Sequence, residues 1–312
     1  MSEASTEAAD GATRAGVVAV IGAPNAGKST LTNRLVGEKV SIVTHKVQTT
    51  RFQVRGIAMI GASQVILVDT PGIFSGTERL AKAMVENAWA GVEGADLVLH
   101  VVDASALVEE RKRTVADTQA VIDGLADAGK HAVLALNQID RVPVELLLPI
   151  VARMRETGVY TDVFLISALN GDGVDDLAAH LAQAMPESPY LYPVDQAADL
   201  PVRVMAAEIT REKLFLRLHA ELPYNLAVET EGWEEFKDGS VKVSQVIYVT
   251  RSGHKGIVLG KGGDTIKAVN MAARREMSQW LDRKVHLFLF VKVREWQADR
   301  ARYEAMGLNF AT

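Results

Sequence analysis

Cysteine is absent from the 312 residues, which removes disulfides, thiolate zinc sites and cysteine nucleophiles. No apolar run approaches the 18 or more residues needed to span a bilayer. No stretch repeats itself, so the chain is not an array of like units. Residues 1–15 lack the apolar core of a secretion signal and are rich in Ala, Ser, Thr and Glu; a disordered cytoplasmic tail is expected there. Proline is sparse, nine in all, yet Pro186, Pro189 and Pro193 fall within eight residues. That cluster suits an extended linker over 186–198.

What remains is ordinary for a soluble globular protein: 48% hydrophobic and 23% charged residues, at a length that favours two domains. The net charge of −5 hides an asymmetry. Residues 1–200 carry 16 Lys and Arg against 25 Asp and Glu, whereas residues 201–312 carry 18 against 14. Within 242–294 the count is 11 against 3, a concentrated basic segment that suits a polyanionic partner or a solvated helical face.

Over residues 16–185 short apolar runs alternate with helical patterns. Val17–Ile21, Val65–Val68, Leu97–Val102, Ala132–Leu136 and Val163–Ile166 read as strands buried on both faces. The alternation predicts an α/β domain, a mostly parallel sheet covered by helices, with ligands at the carboxyl ends of the strands. Residues 199–312 predict a smaller α+β domain. Its expected strands are Val202–Ile209, Leu226–Trp233, Lys242–Val249 and Val285–Val293, with helical patterns between them and a C-terminal amphipathic helix from Arg294.

The residues that follow the strands carry the chemistry. After Val17–Ile21 comes Gly22-Ala23-Pro24-Asn25-Ala26-Gly27-Lys28-Ser29 and then Thr30, a phosphate-binding loop in its required strand–loop–helix context. Backbone N–H groups would wrap the phosphates, Lys28 would reach the outer ones, and Ser29 would offer an oxygen to Mg²⁺. Val65–Val68 ends in Asp69-Thr70-Pro71-Gly72, 41 residues beyond Lys28. Asp69 can hold Mg²⁺ directly or through water, and Gly72 lets a backbone N–H approach the γ-phosphate. Ala132–Leu136 ends in Asn137-Gln138-Ile139-Asp140, where the Asp140 carboxylate can accept both donors on the guanine edge. Val163–Ile166 ends in Ser167-Ala168-Leu169, whose backbone N–H can meet the guanine O6.

Three such strand ends in this order resemble the TRAFAC-class GTPases over about residues 16–185. The family's guanine motif is Asn-Lys-x-Asp, and Gln138 replaces its lysine. The resemblance makes Ser41–Arg51 the switch I segment and favours Thr50 over Thr49 as ligand of Mg²⁺ and γ-phosphate. Ile73 occupies the position of a water-orienting glutamine and cannot hydrogen-bond water, so slow intrinsic hydrolysis is implied. In the subgroup with a hydrophobic residue there, Asn25 helps hold a K⁺, the role favoured here; the alternative is that it only caps or shapes the turn. Lys28, Thr50 and Asn25 are thus the catalytic candidates, with Ser29, Thr50 and Asp69 as metal ligands.

Within the basic segment, Ile257-Val258-Leu259-Gly260-Lys261-Gly262-Gly263-Asp264-Thr265-Ile266 reads as helix, GxxG loop, helix, the hallmark of a KH domain. Such a loop lets an RNA backbone pass close. Lys255, Gly260, Lys261, Gly262, Gly263 and Lys267 are the RNA-binding candidates, and the element order suggests the type II topology. A GTPase unit followed by one such domain closely resembles the bacterial Era family. The resemblance implies a monomeric, cytoplasmic GTPase that binds GTP and GDP with Mg²⁺. It also implies binding to the 3′ end of 16S ribosomal RNA, help in 30S subunit maturation, and peripheral association with the inner membrane. The competing class, motivated by Gln138, is a non-hydrolysing RNA-binding assembly protein with a degenerate nucleotide domain.

Overall fold

The computed structural model describes residues 13–47, 49–74, 79–219 and 222–294. The first domain opens with β1 (Arg14–Ile21), α1 (Lys28–Val36), β2 (Val54–Ile60), β3 (Ser63–Asp69), α2 (Arg79–Glu93) and β4 (Leu97–Asp103). It continues with α3 (Ala104–Val108), α4 (Lys112–Asp127), β5 (Ala132–Asn137), α5 (Val144–Glu156), β6 (Tyr160–Leu165) and α6 (Val174–Ala184). Six strands form one sheet in the order β2-β3-β1-β4-β5-β6, every pair parallel except β2 with β3. Apolar side chains of α2, α4 and α5 pack one face (Ala88, Leu125 and Ile150 among them). Leu31 of α1 and Leu177 and Leu181 of α6 pack the other. Burial on both faces is what the continuous apolar runs of the central strands require. The edge strand β6 departs from the expectation of full burial over Val163–Ile166: Val163, Phe164 and Leu165 are only half-buried, and the strand begins earlier, with Thr161 and Asp162 exposed. The antiparallel β2 has no counterpart among the expected strands, its apolar residues being broken by Arg55 and Gly56.

The tail expected through Ala15 ends earlier. Thr13–Ala15 join the sheet margin, where Ala15 N–H donates to Pro186 O at 3.2 Å and Ser188 N–H to Thr13 O at 3.0 Å. Backbone donors at the start of a central strand must find partners, and the segment after α6 supplies them. That segment is not free either. Gln64 Oε1 accepts from the backbone N–H of Leu191 and Tyr192, and Ile57 N–H donates to Ala197 O at 2.8 Å. The rest of the N-terminal tail, Gln48 and the helix expected from Arg294 lie outside the described residues.

The second domain runs α7 (Val202–Arg217), β7 (Leu226–Glu235), β8 (Val241–Val249), α8 (Ser252–Leu259), α9 (Asp264–Trp280) and β9 (Val285–Val293). Its sheet has the order β7-β8-β9, antiparallel then parallel. This is the type II order. The strand expected over Val202–Ile209 is the first half of α7 instead. Pro201 suits the N-cap, where it has no N–H of its own to satisfy and its carbonyl accepts from Val204 and Met205 N–H, and Met205, Ala206, Ile209 and Thr210 recur at helical spacing. The helix is buried nearly all round, by its own sheet on one side and by the first domain on the other, so no polar face reveals its period.

The two domains share an apolar seam: Val40, Phe52 and Val54 of the first pack on Ala227, Val246 and Tyr248 of the second.

Candidate nucleotide site and RNA-binding loop

The loop between β1 and α1 closes around left-handed residues, Asn25 at φ 64° and Gly27 at φ 99°. Asparagine tolerates that region, and Gly27 has a second constraint. A Cβ on it would lie 2.2 Å from Asn137 Nδ2. Asn137 binds protein with both ends of its amide, donating to Ala26 O at 2.8 Å and accepting from Ala168 N–H at 2.9 Å. It therefore braces the phosphate loop against the β5 and β6 ends, instead of offering a free group to a base. The expected Ser167-Ala168-Leu169 loop is held from beneath by Arg34, whose Nε donates to Ala168 O at 2.6 Å and whose Nη2 donates to Leu169 O.

Lys28 is 6% exposed, and its ammonium donates to Gly22 O and Ala23 O, each at 3.0 Å. Burial lowers its pKa to about 8 against the opposing pull of Asp69. Asp69 is fully buried; burial raises its pKa, while the Ser29 hydroxyl and the Lys28 charge pull it back. Nearby His100 is pushed down to about 3 by burial and by Lys28, so it is a neutral ring, bonded to the Tyr160 hydroxyl at 2.8 Å.

The three expected metal ligands come together. Ser29 Oγ donates to Asp69 Oδ2 at 2.7 Å and lies 3.0 Å from Thr50 Oγ1. Thr49 points elsewhere, donating to Lys46 O and touching Thr44 Oγ1. Asp69 Oδ1 and Ser41 Oγ are buried without a partner in hydrogen-bonding geometry. A buried carboxylate oxygen left this way, beside two hydroxyls, fits a hard divalent cation that prefers oxygen ligands. Gly72 lies against Pro24, and Ile73 is buried in the core, its N–H donating to Gly22 O at 3.1 Å. No side chain at Ile73 reaches the cavity.

A cavity of about 420 Å³ joins these groups. Its lining includes Asn25, Lys28, Ser29, Thr30, Thr50, Gly72, Gln138, Asp140, Ala168 and Leu169, and also Arg111 and Arg141. The last two and Arg34 escape sequence reasoning. Their only signal is a positive charge a few residues beyond a motif, too common to notice.

The Ser41–Arg51 segment, the expected switch I, touches both domains at neighbouring residues. Thr50 faces Ser29, while Arg51, 6% exposed, donates to Leu226 O at 2.8 Å, Tyr224 O at 3.2 Å and Pro223 O at 3.3 Å. From α7, Arg211 donates to Thr49 O, and Glu212 Oε1 accepts from Val43 N–H at 2.9 Å. Burial would raise the Glu212 pKa, yet Lys39, Lys213 and the Val43 N–H together hold it below the usual range.

The GxxG loop stands between α8 and α9. Gly260 (φ 76°), Gly262 (φ 62°) and Gly263 (φ 82°) all have positive φ, and a Cβ on Gly260 would meet Thr265 Oγ1 at 2.3 Å. Around Gly262 a Cβ would meet nothing within 4 Å, so the loop's outer side is open. Lys255, Lys261 and Lys267 are exposed around it, and Lys267 Nζ donates to Gly262 O at 3.2 Å.

Comparison with known proteins agrees with this division. Residues 17–138 match the family model described as 50S ribosome-binding GTPase, and residues 221–297 match the KH domain model. GTPase Era of Caulobacter vibrioides is 55% identical over 307 residues, covering 96% of this chain and 97% of the relative. GTPase Era of Brucella suis is 55% identical over 301 residues, covering 96% and 95%. The crystal structure of Era in complex with MgGDPNP and nucleotides 1506–1542 of 16S ribosomal RNA superposes with a TM-score of 0.85. It is 35% identical, over 96% of this chain and all of that one. A single-substitution variant of Aquifex aeolicus Era bound to GDP·AlF4⁻ gives the same TM-score at 34% identity, with the same coverage.

Proposed function

Because the chain belongs to the Era family of GTPases, we propose that it couples hydrolysis of GTP in its first domain to binding of the 3′ end of 16S ribosomal RNA by its second. The carrying observation is the pair Thr50–Arg51. One residue faces the metal ligands and the next is anchored on three carbonyls of the KH domain. A segment so tied cannot follow the γ-phosphate without pulling on the second domain.

In the hydrolysis of GTP to GDP and phosphate, Lys28 leaves the Gly22 and Ala23 carbonyls for the outer phosphates. The loop amides and the α1 terminus hold the rest of the chain of phosphates. Mg²⁺, bound through Ser29, Thr50 and Asp69, neutralises charge on the phosphates. Ile73 contributes no water-orienting group, so intrinsic turnover is slow, and a K⁺ beside Asn25 would add the missing positive charge. Asp140 selects guanine. Membership of a family of GTPases favours hydrolysis over the non-hydrolysing alternative, and Gln138, its motive, keeps a bond to the phosphate loop, donating from Nε2 to Asn25 O at 3.3 Å.

On the RNA side, Gly260–Gly263 admits the backbone while Lys255, Lys261 and Lys267 neutralise phosphates. The substrate particle is the maturing 30S subunit, engaged by a monomer in the cytoplasm. Contact with the inner membrane, where it is made, is peripheral in this reading; among the described residues no helix is long and apolar enough to cross a membrane.

Anisotropy with a labelled fragment of the 16S 3′ end, in GDPNP and in GDP, tests the coupling. The two nucleotides should give affinities at least fivefold apart in the parent and within twofold in Arg51→Ala. Equal affinities in the parent would overturn the reading. Sedimentation with purified 30S and 50S particles decides the subunit.

A further inference from the structure

Gln138 opens the 3-10 turn Ile139–Arg141 from a left-handed backbone, φ 65° and ψ 32°. In such a turn side chains three apart lie over one another, which brings residue 141 above residue 138. The Arg141 Nη1 donates to Gln138 Oε1 at 2.9 Å, and Gln138 Nε2 donates to Asn25 O at 3.3 Å. The amide orientation is fixed by its neighbours: a guanidinium can only donate and a backbone carbonyl can only accept. Asn25 in turn donates from Nδ2 to His45 O at 3.1 Å. A line of hydrogen bonds thus runs from Arg141 through Gln138 and the phosphate loop into switch I.

Asn25 and Gln138 are both non-glycine residues held in the left-handed region, at φ 64° and 65°, so each end of the link between the two loops needs support. Gln138 is neutral and flexible and cannot by itself hold one rotamer against water. Arg141 both fixes it and sets a permanent positive charge on the rim of a cavity that must accept a polyanion.

We propose that Arg141 is a positioning residue for guanine-nucleotide binding, acting through Gln138 to hold the phosphate loop at Asn25. The inference rests on the reading that this cavity binds guanine nucleotides. Arg141 is exposed, so its replacement leaves the core intact.

Calorimetric titration of GDP into the full chain tests it, using Arg141→Ala, Arg141→Lys, Gln138→Ala and the Ala/Ala double variant. Arg141→Ala should weaken binding about fivefold, and Arg141→Lys, which keeps a donor for Gln138, should recover at least half of that loss. In the Gln138→Ala background, removing Arg141 should cost less than twofold. Losses that multiply in the double variant, or an Arg141→Ala variant within 1.5-fold of the parent, would overturn the proposal. A parent that binds no GDP would instead sink the nucleotide reading beneath it.

Discussion

Lys28 offers a test of the nucleotide site that needs no substitution, only pH. Without nucleotide its ammonium is buried and titrates near 8, against 10.5 for a free lysine. Phosphates placed beside it favour the charged form, so nucleotide binding raises that pKa and takes up a proton. The affinity should therefore be flat well below pH 8 and fall above it. For a group at about 8 that is fully charged in the complex, the apparent dissociation constant scales as one plus ten to the power (pH − 8). Between pH 7 and 8.5 this gives about a fourfold loss for GDP, and at pH 8 about half a proton is taken up per nucleotide. The range stays above the terminal phosphate's own titration, near 6. Titration calorimetry in two buffers of different ionisation enthalpy measures both quantities. Lys28→Arg, charged throughout, should show neither effect even if it binds more weakly. The sign for stability is the reverse of the usual basic group. The folded, nucleotide-free protein holds Lys28 below its unfolded value, so its penalty is complete below pH 8 and fades as pH rises from 8 toward 10.5. Constant affinity from pH 7 to 8.5 with no proton uptake would refute the reasoning.

Three further outcomes are expected. Asp140→Asn exchanges an acceptor oxygen for a donor amide, so preference should move from guanine toward xanthine nucleotides; equal ATP and GTP affinity in the parent would count against the guanine assignment. Hydrolysis should run faster in KCl than in NaCl at equal ionic strength, and Asn25→Ala should abolish the difference; equal rates in the parent would leave Asn25 as a turn residue that ties the loop to His45. Replacing Lys261 and Gly262 with Asp sets two carboxylates on the open side of the GxxG loop, which should lower affinity for the 16S 3′ fragment at least tenfold and leave GDP affinity within about twofold; unchanged RNA binding would return the basic segment to a solvated face.

Where a residue acts from the end of the element that carries it, one sequence is enough. The phosphate loop, Asp69, Asp140 and the GxxG loop were legible because each sits at the end of a strand or helix whose pattern is local. Gly27 and Gly260 were legible as glycines, though the groups that forbid a side chain there, Asn137 and Thr265, belong to the folded chain. At α7, where a strand is expected, the helix has a specific cause for looking like one. A helix covered by its own sheet on one face and by switch I on the other loses the polar stripe that marks a 3.6-residue period, and Val202-Arg203-Val204 then imitates a strand. Arg34 gripping the Ser167–Leu169 loop and Arg51 on the carbonyls of Pro223, Tyr224 and Leu226 were decided only by tertiary structure. An arginine's partner there is a carbonyl, and every residue has a carbonyl. Only the folded backbone, bringing residues 51 and 226 together across two domains, can say which one it takes.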